Sequence, residues 1–213
     1  MQVYIPFADC DRFQGLRPEG PRQRTSRVGG NVIVEEYGPT VEKGWEKVFD
    51  YCEKGKAIGS KWRPLRVEIH PQDEDSGKLP LGDFPLLGLS TVPVFSRHAI
   101  DALGELLQGN AELLRLEYSK GEYFILNVTR FVDAFDEKKS KYKCFSNGGI
   151  SGIDRIYFHE EKLGRHPIFR IPQFPVQIYV TERFVRRAQE AELVGIEFEQ
   201  VWPQDNRRKK AVR

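Results

Sequence analysis

Ser96, His98 and Asp101 lie close together in the sequence and are the residue types of a nucleophile triad. Their spacing argues against that chemistry. Residues two apart on a helix point to different faces. Ser96 also stands just before an apolar-periodic run, where its oxygen can accept from free helical N–H groups as an N-cap. The four histidines, His70, His98, His159 and His166, show neither HxH nor HxxxH spacing and no partnered cysteine, so no metal site is expected. Asp73-Glu74-Asp75 resembles the start of a calcium loop. Continued from Asp73, that loop would put Gly77 at a ligand position and Phe84 where a bidentate Glu is required. Asn147-Gly148-Gly149-Ile150-Ser151-Gly152 is Gly-rich. It is followed by the strand-like IDRIYFH rather than the helix a phosphate loop needs, so a hairpin-like loop is expected. Carboxylates brought together only by folding stay open as glycosidase-like acids. The residues themselves assign no catalytic side chain, no cofactor and no metal ligand.

The elements that must position these side chains are clearest from 93 to 131. Ala99, Ile100, Leu103, Leu106 and Leu107 recur at helical spacing, and Gly109-Asn110 suits the helix exit. Leu114, Leu116 and Tyr118 alternate with Arg115 and Glu117 at strand period, and Ser119-Lys120-Gly121 makes a turn. From Glu122 to Phe131 both alternating faces carry apolar residues, which predicts a strand covered on both sides. A second unit echoes this one. VFSRHAI and YVTERFV share a pattern, with Thr181 as the second cap and Phe184, Val185, Ala188 and Leu193 as the buried stripe. Gly195 is the expected helix stop, followed by the strand 196–202. The fold class expected is α+β, a mixed or mainly antiparallel sheet with two capped helices, both packed on one sheet.

Elsewhere the pattern is plainer. Residues 1–7 start a strand, 31–37 form another, and 41–54 a short amphipathic helix. Residues 8–30, with five arginines and six Gly or Pro, read as a long loop. Residues 61–69 read as an extended segment placed at a sheet edge by Pro64. The organisation expected is an N-terminal region 1–60, either part of the same domain or a separate lobe, an α+β core 61–206 and a disordered basic tail 207–213.

Composition narrows the class. With 213 residues, 39% hydrophobic and 30% charged, the chain is an ordinary globular protein. No apolar run approaches the ~20 residues that span a bilayer, and MQVYIPFADCDRF lacks the features of a signal peptide, so a cytoplasmic protein is expected. Cys10, Cys52 and Cys144 are distant and odd in number, which suits reduced thiols. The net charge of +2 conceals an asymmetry. The tail RRKKAVR holds five cations, so residues 1–206 carry −3. Two features suit contact with a partner. Trp62 is of a type enriched at binding hot spots, and Asp73, Glu74 and Asp75 form an acidic run that could face a basic surface.

Several runs, in order, resemble a known family. They are Asp83-Phe84-Pro85, Pro93-Val94-Phe95-Ser96 with the helix to Leu107, Tyr123-Phe124-x-x-Asn127-Val128-Thr129, and Val132-Asp133-Ala134-Phe135-Asp136 with Ser140. Next come Ile178-Tyr179-Val180-Thr181-x-Arg183-Phe184-Val185, Gly195-Ile196-x-Phe198 and Val201-Trp202. Residues 60–202 thus resemble the bacterial immunity proteins of polymorphic toxin systems, typified by a myxobacterial immunity protein. The resemblance implies a small cytoplasmic protein that neutralises a cognate toxin domain, encoded by a neighbouring gene, by stoichiometric binding without catalysis. It implies no cofactor and no membrane partner, and its recurring residues here are apolar or turn-forming. Two other readings stand beside it: a nucleic-acid-associated protein using the Arg-rich loop and basic tail, and an enzyme that reverses a toxin's modification.

Overall fold

The computed structural model describes residues 1–19, 22–28, 31–37, 45–70, 79–88, 92–203 and 211–212. Two five-stranded sheets carry the fold. The first is built from β2 (Gly15–Pro18), β5 (Leu65–His70), β7 (Ala111–Glu117), β8 (Tyr123–Val128) and β6 (Val94–Ser96), in that spatial order. The second runs β11 (Ile168–Ile171), β12 (Phe174–Thr181), β1 (Val3–Ala8), β13 (Ile196–Trp202) and β14 (Ala211–Val212). Two ribbons, β3 (Arg22–Val28) with β4 (Asn31–Tyr37) and β9 (Lys141–Cys144) with β10 (Ile150–Arg155), pair only within themselves among the described residues. The α-helices are α1 (Trp45–Glu53), α2 (Arg97–Leu107), the single turn α3 (Glu160–Leu163) and α4 (Glu182–Glu190).

The echo between the two units has a structural counterpart. β6, α2 and β7 form one crossover, with β8 lying between the two strands and antiparallel to both. β12, α4 and β13 form another, with β1 inserted antiparallel between its strands. Each is a split β-α-β unit. The inserted strand follows the crossover in the first unit and precedes it by most of the chain in the second. The two helices therefore lie on two sheets, not on the single sheet expected. Sequence order conceals this, because the middle strand of the second sheet comes from the N-terminus.

Local chemistry explains the first unit. The Ser96 hydroxyl accepts the Ala99 N–H at 3.0 Å, the capping bond its position predicts. At the exit Gly109 has φ +70°, and the Asn110 amide donates to the Leu106 carbonyl at 3.0 Å. β8 is buried along its whole length, as its two apolar faces require. The second helix departs from expectation at both ends. The Thr181 side chain makes no capping bond. Instead the Glu182 carboxylate turns out to accept the Gln2 N–H at 2.5 Å, and the Glu182 N–H donates to the Gln2 carbonyl at 3.1 Å. α4 stops at Glu190, before Gly195. The role of Gly195 is close approach. It has φ +79°, and a Cβ there would meet the Cα of Gly82 at 3.2 Å.

Three cores follow from the layers. The first joins both sheets through both helices: Phe95, Phe124 and Leu126 from one sheet, Leu103 and Leu107 from α2, Phe184 and Val185 from α4, and Tyr4, Val180 and Phe198 from the other sheet. The rings of Phe84, Phe95, Phe184 and Phe198 run through it in sequence, with centroids 5.0, 6.4 and 6.3 Å apart. Tilted aromatic pairs at such distances add about 0.5–1.5 kcal/mol each beyond the area they bury. The second core lies between the other face of the first sheet and α1, with Leu16, Val48, Cys52, Leu65 and Ile125. The third covers the other face of the second sheet, where Phe135, Phe158 and Leu163 pack on Val3, Phe169 and Tyr179.

Two further expectations change. Residues 8–30 are not one long loop: β2 pairs with β5, and β3 pairs with β4 in register from Arg22 opposite Tyr37 to Val28 opposite Asn31. The strand RQRTSRV lacks an apolar face, so only its main-chain partner reveals it. β5 is not an edge strand. It lies between β2 and β7, and Pro64 precedes its first residue, where no ladder donor is needed.

Candidate partner-binding surface

The Ser, His and Asp side chains are brought together in a way that braces the fold. Asp83 replaces Asp101 in the cluster; Asp101 forms an exposed ion pair with Arg97 at 3.7 Å. Asp83 is buried. Its Oδ1 accepts the Ser96 hydroxyl at 2.5 Å and lies 3.2 Å from the His98 Nδ1, and its Oδ2 accepts the Val194 N–H at 3.0 Å. Ser96 thus donates to a carboxylate and accepts from a helix N–H. The imidazole reaches Asp83 and not Ser96, so the three side chains are not arranged as a Ser–His–Asp relay. Nearby, the Tyr123 hydroxyl donates to the Gly82 carbonyl at 3.3 Å, and burial, reinforced by the Asp83 charge, pushes its pKa up to about 12. The cluster fastens the 82–84 turn and the turn after α4 to the start of α2. Asp83 belongs to the Asp83-Phe84-Pro85 run, but its partners Ser96 and Val194 are 13 and 111 positions away, beyond any local pattern.

A second brace is Arg170, 1% exposed on β11. Its Nε donates to the Val128 carbonyl at 2.9 Å, its Nη2 to Cys52 at 2.7 Å, and its Nη1 to Glu53 at 3.3 Å and to Pro175. Burial lowers its pKa to about 10, opposed by Cys52 and Glu53. Glu112 holds the next segment. Its carboxylate accepts the N–H groups of Ile58 and Gly59, each at 2.9 Å, and the Asn127 amide at 2.9 Å. No group of three or more His, Cys, Asp or Glu side chains among the described residues is placed to hold a metal ion.

Three features of the described surface outside these braces bear on contact with a partner. Between the diverging ends of β5 and β7 lies an open cleft of about 650 Å³, bordered by Glu19, Glu68, Ile69, Glu117 and Tyr118. The strands pair in parallel only at Leu65–Leu116 and Arg66–Glu117, which leaves the cleft beyond them. A smaller groove of about 320 Å³ lies between α2 and α4, lined by Glu105, Arg183, Arg186, Arg187 and Glu190. The third feature is the β9–β10 ribbon, exposed along all of β9.

Trp62 is half-buried against the second core, and its indole N–H donates to the Arg115 carbonyl at 2.9 Å. Much of this side chain therefore serves packing. Asp73, Glu74 and Asp75 lie outside the described residues, as does the tail apart from Ala211–Val212, whose backbone pairs with Phe198 and Glu199. No helix among the described residues is long and apolar enough to cross a membrane.

No curated protein matches the chain. The Asp83 run and the Pro93–Ser96 run precede the part of the chain that does find a counterpart. Residues 115–202, which reach from β7 through the ribbon and the whole β12–α4–β13 crossover, match the immunity protein family Imm11.

Proposed function

We propose that the chain is an immunity protein of a polymorphic toxin system, which binds a cognate toxin domain in the cytoplasm of the producing cell and neutralises it stoichiometrically, without catalysis. The observation that carries this reading is the immunity-family match over residues 115–202. It is supported by the way the polar clusters are used: Asp83, Ser96, Arg170 and Glu112 all bond to the protein's own backbone or caps. A neutralising complex of ordinary size buries about 1,600 Å², with a few aromatic or Arg anchors at its centre. Trp62 and the acidic run Asp73-Glu74-Asp75 are proposed as contributors to that contact, the run by facing a basic patch on the toxin domain.

The test is co-expression with the toxin domain encoded by the neighbouring gene, read by growth rescue and by pull-down. Rescue with a stable one-to-one complex is the expected result. Rescue without a complex would favour an enzyme that reverses the toxin's modification. Absence of both would remove the immunity assignment for that pair.

A further inference from the structure

Among the described residues the β9–β10 ribbon pairs with no other strand, and every residue from Lys141 to Gly149 is exposed. At its tip Phe145 is 61% exposed, more than any other large hydrophobic side chain among the described residues. An isolated two-stranded ribbon is marginally stable in water, so this one must be held at its base. The Tyr142 ring packs edge-on against Phe135 at 5.6 Å, and Ile150 and Ile153 pack on the third core. The Ser140 hydroxyl accepts the Tyr157 N–H at 2.9 Å, and Asp136 accepts the Lys139 N–H at 3.1 Å. The tip is fixed as well. Phe145 N–H donates to the Gly149 carbonyl at 2.8 Å, Gly148 N–H to the Phe145 carbonyl at 3.0 Å, and Gly149 N–H to the Asn147 side chain at 3.1 Å. Gly148 takes the φ of +85° that the turn requires. An aromatic on a turn already ordered loses little entropy when it is buried by a partner.

Charge singles out the same element. Residues 137–155 hold five cations, Lys138, Lys139, Lys141, Lys143 and Arg155, against Glu137 and Asp154, a net +3. Residues 1–206 as a whole carry −3, so the remainder of that body carries −6. Lys139 pairs with Asp136 at 3.3 Å and Lys143 with Asp154 at 3.5 Å, while Lys138 and Lys141 form no ion pair among the described residues. We infer that this ribbon is the finger by which the chain engages its toxin: Phe145 enters an apolar recess on the toxin domain, and the lysines behind it face carboxylates on the rim. The inference rests on the immunity reading above. A nucleic-acid strand fits the element less well. It asks for a series of stacking rings along a basic groove, whereas here one ring stands at the tip of a ribbon on a negative body.

The experiment uses the full chain and the toxin domain encoded by the neighbouring gene, with affinity from calorimetry and rates from surface-bound toxin. Phe145→Ala is expected to weaken Kd by about 30-fold or more, as loss of a central anchor does. Lys138→Glu with Lys141→Glu is expected to slow association about tenfold at low salt, with the difference closing as salt rises. Val194→Ala, which trims another exposed apolar side chain, is the control and leaves Kd unchanged. All variants should keep the circular dichroism and Tm of the unaltered chain, since the altered side chains are exposed. If the unaltered chain binds and rescues while Phe145→Ala binds within about twofold of it, the finger is wrong and the immunity reading stands. If the unaltered chain does not bind the toxin, both fall. Salt-sensitive binding of a single-stranded oligonucleotide that is lost in the same variants, with toxin affinity unaffected, also overturns the inference.

Discussion

The Arg170 guanidinium donates to the carbonyl of Cys52 across 118 positions of sequence, at 2.7 Å. Cys52 and Glu53 end α1, and their carbonyls are among those an α-helix leaves without internal partners. A cation at that end also meets the negative pole of the helix. The same guanidinium reaches Val128 at the end of β8 and Pro175 on β12. One side chain thus ties α1 and both sheets at a point where the backbone of Arg170 itself bonds to Arg130 and Val132. The planar fork suits this task, because its N–H groups diverge toward acceptors on different elements.

Replacing that fork should be costly. Arg170→Met keeps much of the volume and removes a donor from four carbonyl acceptors, of which Cys52 keeps the Gly55 N–H at 3.2 Å. Charged hydrogen bonds contribute about 1.5–3 kcal/mol each, and a stranded buried acceptor costs a similar amount. We expect a loss of at least about 3 kcal/mol in urea unfolding of the full chain. Arg170→Lys should recover less than half of this, since an ammonium presents its donors from one point. A lysine variant as stable as the parent would show that charge, rather than the fork, is what the site requires.

Asp83 supports a separate prediction. Asp83→Ala removes the acceptor for the Ser96 hydroxyl and for the Val194 N–H, and the loss expected is about 2–4 kcal/mol on the same scale. Asp83→Asn retains one oxygen and should lose roughly half as much. Because the Ser96–Ala99 capping bond does not itself involve Asp83, hydrogen exchange in α2 should rise less than exchange around Gly82 and Val194. Equal rises in both places would mean that Asp83 acts through the helix cap alone.

Much of the fold was legible where local chemistry and pattern agree. Ser96, the helical stripe to Leu107, the Gly109-Asn110 exit and the two-faced strand at Tyr123–Val128 all follow from spacing, and all are found. What escaped depends on distant partners. RQRTSRV has no strand pattern of its own, β5 is internal because β2 and β7 flank it, and the second sheet takes its middle strand from Val3–Ala8. The braces were hidden for the same reason. Asp83 stood within a recognisable run, yet neither its burial nor its reach to Val194 is written nearby. Arg170 looked like one more arginine, and nothing in IFRI marks it as buried. Phe145 lies next to an expected Gly-rich hairpin, but nothing in the pattern around it marks it as exposed, whereas the surface features the sequence does suggest are Trp62, which is half-buried, and Asp73-Glu74-Asp75, outside the described residues.

Cys52 provides a test of the second core through pH. Its side chain is fully buried, and burial, strengthened by Glu112 and Glu53 and opposed by Arg170, pushes its pKa up to about 12 from the ordinary 9.0. The folded state therefore holds this proton more tightly than the unfolded state. The stabilisation is complete below about pH 9 and is lost progressively as pH rises toward 12. Tyr123, raised from 10.0 to about 12, adds a loss of the same sign that begins about one pH unit later. Thermal melts between about pH 8 and pH 10 should show Tm falling from about pH 9, partly offset at the upper end of that range, where Arg170, with its pKa lowered to about 10, begins to release its proton in the folded state. In Cys52→Ala the fall should start nearer pH 10. A thiol reagent gives an independent reading: exposed Cys144 should react at once, and Cys52 only at the rate at which the core opens. Immediate reaction of Cys52 in the folded chain, with no change in the alkaline melt on its removal, would mean that α1 does not seal the second core in solution.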